Sequence, residues 1–134
     1  FREPRDVCVT KDKRYLISDN HKLIILDDEF HKVEVIGSNK AGKGRSKSSS
    51  LSLIVEENER SVVETDIFHN PTGMAIDEHD EDIYLCDTNN DRLVIISREY
   101  KWIREINTGV DSSPRYVALR NHLMYVTSGS KGCV

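Results

Sequence analysis

No stretch of this sequence approaches the roughly 18 consecutive apolar residues that a membrane-spanning helix needs. The N-terminal FREPRDVCVT lacks both an initiating Met and the apolar core of a signal peptide, so the expectation is a piece of a longer protein. Aromatic residues are scarce, at 7%, which limits the core to aliphatic packing. The three cysteines, Cys8, Cys86 and Cys133, form no C-x-x-C pair. Their odd number and wide spacing argue against a disulfide framework and for reduced thiols in the cytoplasm. No serine occupies a G-x-S-x-G elbow. The glycines and lysines of GSNKAGKGRSK do not end in the Gly-Lys-Ser/Thr of a phosphate loop. No segment keeps a helical period over about ten residues.

What is present is charge, 31% of residues, with a net value of −4. Its distribution is uneven. Ser38 to Ser50 carries Lys40, Lys43, Arg45 and Lys47 and no acid. Residues 70–109 hold nine acids against four bases. A nucleic-acid-binding surface generally shows a basic stripe on a folded face. Here the basic run falls in a predicted loop, so neither DNA nor a membrane is expected as partner.

The chain repeats itself. EPRDVCVTKDKRYLISDNHKLIILDDEFHKVEVIG aligns with NPTGMAIDEHDEDIYLCDTNNDRLVIISREYKWIREI, and a third copy, SPRYVALRNHLMYVTSGSKGCV, begins at Pro114. Pro71 and Pro114 are 43 residues apart; Pro4 and Pro71 are 67 apart, which leaves an insert of 24. Each copy reads as short β-strands separated by turns rich in Asp, Asn, Lys and His. DVCVT, GMAID and YVALR have the composition of buried inner strands. KVEVI and KWIREI alternate as exposed outer strands do. Four strands recurring at 40 to 45 residues is the signature of a β-propeller blade. The predicted fold is therefore all-β, a partial β-propeller of about three four-stranded antiparallel blades with the last incomplete. The predicted divisions are residues 1–37, blade one; 38–66, a polar insert, with 38–50 poorly ordered; 67–109, blade two; and 110–134, the start of blade three.

The stretch PTGMAIDEHDEDIYLCDTNNDRLVII resembles the NHL repeat, in which Pro-x-Gly opens a strand and a later Asp is followed by Asn-x-Arg. Pro71, Gly73, Asp77, Asp87, Asn90 and Arg92 all match. Copy one departs at Asp6 and has no arginine equivalent to Arg92; copy three departs at Tyr116 and Ser128. The resemblance implies a propeller that recognises proteins, as in the C-terminal domain of tripartite-motif ubiquitin ligases, with single-stranded RNA as the alternative ligand. It implies no cofactor.

The acidic run from Asp77 to Asp82 is a hairpin turn rather than a metal site: it has no glycine for a calcium loop and one histidine where zinc needs more ligands. Asp87 and Arg92 read as a structural pair across the TNN turn, contributing about 0 to 1 kcal/mol if superficial. No catalytic constellation is visible, and the expectation is a non-catalytic protein-interaction platform, not an enzyme. By strand parity, the turns joining second and third strands share one end of the stack with the blade-to-blade connections. That end gathers Arg5, Asn20, His21, Asn90, Arg115, Tyr116 and Lys131 as candidate partner-binding residues, whose truncation is expected to spare stability.

Overall fold

The structure, a computed structural model, describes residues 1–42 and 67–129. Apolar, β-branched segments pair into sheets in chain order. Strands β1 (Pro4–Val9), β2 (Tyr15–Asp19), β3 (Lys22–Leu26) and β4 (Lys32–Gly37) form one antiparallel meander. Strands β5 (Pro71–Ile76), β6 (Ile83–Asp87), β7 (Arg92–Ile96) and β8 (Trp102–Asn107) form a second. Strands β9 (Pro114–Arg120) and β10 (Leu123–Ser128) pair as the third sheet. The only helical element among the described residues is a single 3-10 turn, Thr88–Asn90.

The hairpins repeat in detail. Lys13 and Glu81 occupy matching left-handed positions before the second strand, each with φ 63°. Phe30 and Tyr100 do so before the fourth, each with φ 64°. Asn121 and His122 both take positive φ in the two-residue turn between β9 and β10, the geometry that follows strand twist.

The sheets stack side by side, with β1 against β5 and β5 against β9. Blade one turns Cys8, Leu16, Leu23, Ile25 and Ile36 toward blade two, which answers with Met74, Ile83, Leu85, Val94 and Ile96. Burying each such side chain contributes about 1.5 to 3 kcal/mol. The opposite face of blade two packs Cys86 and Leu93 on Val117, with Ala75, Tyr84, Leu119 and Val126 around them. Inner strands side by side and sheets face to face make this a partial β-propeller: two four-stranded blades and a third described over two strands. No helix among the described residues is long and apolar enough to cross a membrane.

Burial of the inner strands differs from expectation. Val7 and Val9 of β1 are 56% and 57% exposed, and Tyr116 of β9 is 60% exposed. Only β5, with a blade on each side, is enclosed; the composition of β1 and β9 suits a cover that the described residues do not supply. Residues 38–42 are tied down, the Gly42 N–H donating to Phe68 O at 2.9 Å. Residues 43–66, the rest of the insert, and residues 130–134 lie outside the described residues.

Candidate functional site

The end of the stack that carries the β2–β3 and β6–β7 turns is organised by buried carboxylates. Asp87 ends β6 with no exposure. Its Oδ1 accepts the His69 N–H at 2.7 Å; its Oδ2 accepts from Asn90 Nδ2 and Arg92 Nε, both at 2.8 Å. Arg92 also donates to Ile67 O at 3.0 Å, pairs with Glu105 and lies over the Trp102 ring. Asn90 Nδ2 donates again to Gly42 O at 2.8 Å. One hub therefore holds both described flanks of the insert against blade two. Burial pushes the Asp87 carboxyl up, while Arg92, Asn90 and the His69 amide pull it back. The pair is not superficial. Arg92 is 6% exposed, and a buried pair costs far more to break.

Blade one solves the same problem differently. Asp19, also fully buried, accepts the N–H groups of Arg2 and Glu3 at 2.8 and 2.6 Å. Lys22 stands at the register of Arg92, its Nζ 3.7 Å from Asp19. In blade three Ser128 takes the aspartate's place opposite Pro114, and its hydroxyl donates to Ser112 O. In all three copies this position fixes the residue two before the strand-opening proline.

The residue preceding Lys22 or Arg92 reaches forward to the next blade. His21 Nδ1 accepts the Asn70 N–H at 3.1 Å, and Asp91 accepts from Asp111 and Ser113 at 2.9 and 2.8 Å. Hydroxyls add further stitches: Ser18 donates to Thr72 O at 2.7 Å and Thr88 to Pro114 O at 2.8 Å. Burial, with the nearby His69, holds the His21 imidazole below its ordinary value.

Gly73 explains the Pro-x-Gly signature. A β-carbon there would lie 2.5 Å from Arg115 O and 2.8 Å from Tyr116 Cα, so a side chain would push blade three away. In blade one Asp6 holds this position and uses its Oδ2 to accept the Met74 N–H at 2.8 Å.

Of the candidate residues, Arg5, Arg115 and Tyr116 are exposed at the starts of β1 and β9. Arg5 pairs with Glu3 at 2.9 Å. Asn20 supplies a left-handed turn residue with φ 53°. His21 bonds across the seam to blade two and Asn90 holds the insert flank at Gly42, so the structure now leads one to expect a stability cost on their truncation. Lys131 lies outside the described residues. Sequence reading missed Ser18 and Asp91 as seam residues and Asp19 as the carboxylate that holds blade one's lead-in; for Asp19 the positional match to Asp87 was the available signal. At the opposite end, the Asp77 and Asp80 carboxylates accept turn amides at 2.8 and 2.9 Å. The His79 amide chiefly holds the Asp77 carboxyl below its usual range.

No family model and no curated protein sequence matches the chain. Among the solved structures similar in shape are two lyases. A streptogramin B lyase structure is 13% identical with a TM-score of 0.42, over 93% of this chain and 48% of that one. A virginiamycin B lyase from Staphylococcus aureus is 14% identical with a TM-score of 0.43, over 94% and 49%. The chain thus spans about half the length of either. Both are lyases. The expectation that this chain is not an enzyme is withdrawn on that finding. It rested on local patterns, and a site assembled from strands distant in sequence leaves no local pattern. At these scores the likeness carries no substrate and no site residue to this chain.

Proposed function

We propose that this chain is an NHL-type propeller segment that recognises a protein partner at the end carrying the β2–β3 and β6–β7 turns. The observation behind this reading is the contrast within that end. Buried Asp19 and Asp87 and half-buried Asp91 fix the backbone, and Arg5, Arg115 and Tyr116 stand exposed on it. Arginine and tyrosine on a rigid frame are enriched among the side chains that dominate protein interfaces, because each brings a large contact area together with hydrogen-bonding groups. The NHL resemblance extends the reading to substrate recognition for a ubiquitin ligase in the cytoplasm, where Cys8 and Cys86 stay thiols. Affinity capture with the unaltered chain and with an Arg5→Ala/Arg115→Ala/Tyr116→Ala variant, each with and without ribonuclease, tests it. Protein captured by the unaltered chain despite ribonuclease and lost with the variant supports the reading. Capture abolished by ribonuclease replaces the protein partner with RNA, and capture indifferent to the substitutions refutes this end as the site.

A further inference from the structure

The three strand-opening prolines stand at one register position, opposite Asp19, Asp87 and Ser128. The residues around them can therefore be compared copy by copy. After the proline come Arg5, Thr72 and Arg115; before it come Glu3, Asn70 and Ser113. In blade one the arginine finds a carboxylate two residues back, with Arg5 Nη2 lying 2.9 Å from Glu3 Oε2. In blade three the arginine recurs and the acid does not, because Ser113 stands where Glu3 does. Asp91, the carboxylate that holds this segment, is occupied by the Asp111 and Ser113 amides. Among the described residues no hydrogen bond or ion pair engages the Arg115 guanidinium.

That guanidinium is nevertheless held in place. Thr72 donates to the Arg115 carbonyl at 2.7 Å, which pins the start of β9 to blade two. The side chain then crosses Gly129, where a β-carbon would lie 2.3 Å from Arg115 Nε and 3.0 Å from its Cδ. Blades one and two carry Asn20 and Thr88 at the position of Gly129. Glycine there leaves room for the arginine to lie on the strand end, and its own N–H donates to Ser113 O at 2.9 Å. A guanidinium with backbone on one side and solvent on the other loses little freedom when an acceptor arrives. Its planar fork matches a carboxylate through two parallel N–H···O bonds.

We propose that the partner's contact segment presents an aspartate or glutamate to Arg115, supplying the carboxylate that Glu3 supplies to Arg5. The inference rests on the reading that a protein partner engages this end, and it adds the chemistry of the contact. A single carboxylate suits the site better than a run of phosphates. A nucleic-acid strand gains affinity from many cations together. This chain has a net charge of −4, with nine acids against four bases over residues 70–109. One carboxylate needs only the local fork.

Binding of the chain to an array of short random peptides, each pool with one fixed residue, tests this. Asp or Glu at one position should bind roughly 10- to 100-fold better than Asn or Gln there, the range of a charge-assisted hydrogen-bonded pair. Arg115→Ala should abolish that preference, and Arg115→Glu should turn it toward Lys and Arg. Both variants should fold, judged by circular dichroism, because the side chain is exposed. Peptides lost with the Arg5→Ala/Arg115→Ala/Tyr116→Ala variant but indifferent to the acid overturn this inference and leave the reading of the end standing. Peptides that bind that variant unchanged refute the end itself. An acid preference that survives Arg115→Ala overturns the role of Arg115. An array without bound peptide overturns a linear acidic segment as ligand. Retention of a short single-stranded RNA of random sequence, lost with Arg115→Ala, would then put phosphate in its place.

Discussion

Blades one and two place a buried aspartate at the same position and balance its charge in unlike ways. Asp87 is met by a guanidinium that also binds Glu105 and Ile67 O; Asp19 is met by a lysine ammonium at 3.7 Å and two close backbone amides. What the two share is the carboxylate's hold on the segment before the strand-opening proline. The cation is the variable part. Blade two has a four-residue turn between Asp87 and Arg92, where blade one has two residues between Asp19 and Lys22. The longer turn brings Asn90 and Arg92 around the carboxylate, and its connection is the one that ends the insert.

The largest effect should come from removing the shared element. Asp87→Ala leaves buried Arg92 with Glu105 as its remaining carboxylate and the His69 and Asn90 donors without their acceptor, and should cost about 3 to 5 kcal/mol in urea unfolding. A loss below about 1 kcal/mol would mean that the hub is not what holds blade two's lead-in. Gly73→Ala comes next. Its methyl group would meet blade-three backbone at 2.5 Å, so the seam must open, at about 1 to 3 kcal/mol. Amide exchange should rise in β9 and β10 and leave β1 to β4 unchanged. Lys22→Ala should then cost only about 0 to 1 kcal/mol, since the Asp19 carboxylate keeps its amides and the ion pair is long. If it matches the cost of Arg92→Ala, the two cations are equivalent after all.

The smallest effect separates the seams by pH. Neutral His21 accepts the Asn70 N–H between blades one and two, where Asp91 serves between blades two and three. Its folded value lies below the ordinary 6.5, lowered by burial and by His69 and opposed by Glu3. The folded state therefore binds fewer protons than the unfolded one below about that pH, and stability falls as pH drops through 6.5 toward the folded value. Thermal unfolding between pH 7 and 5 should show this, and His21→Asp, which copies the Asp91 arrangement, should flatten it. A profile unchanged by that substitution would place the acid sensitivity elsewhere.

Strand identity was readable because short β-branched runs lie between turns of Asp, Asn and Lys, and the pattern recurs. KLIIL and RLVII became β3 and β7 at the expected bounds. The Asp87–Arg92 pair was readable from its spacing across a tight turn. Its burial was not, because the cover comes from Ile67, Gly42 and Glu105, which are distant in the chain. His21 and Asn90 looked like free turn residues for the same reason: their partners, Asn70 and Gly42, lie 49 and 48 residues away.

By itself the sequence determined the strands, their antiparallel order and the repeat, since alternation, turn residues and chain-adjacent hairpins are local matters. It also marked Gly73 as special. Only the tertiary structure decided why: a β-carbon there would strike the backbone of the neighbouring blade. Only the tertiary structure divided the turn residues into those tied into seams and those left exposed. Burial and hydrogen bonding between blades depend on which strand lies beside which, and that neighbourhood is set by packing across tens of residues rather than by any local run.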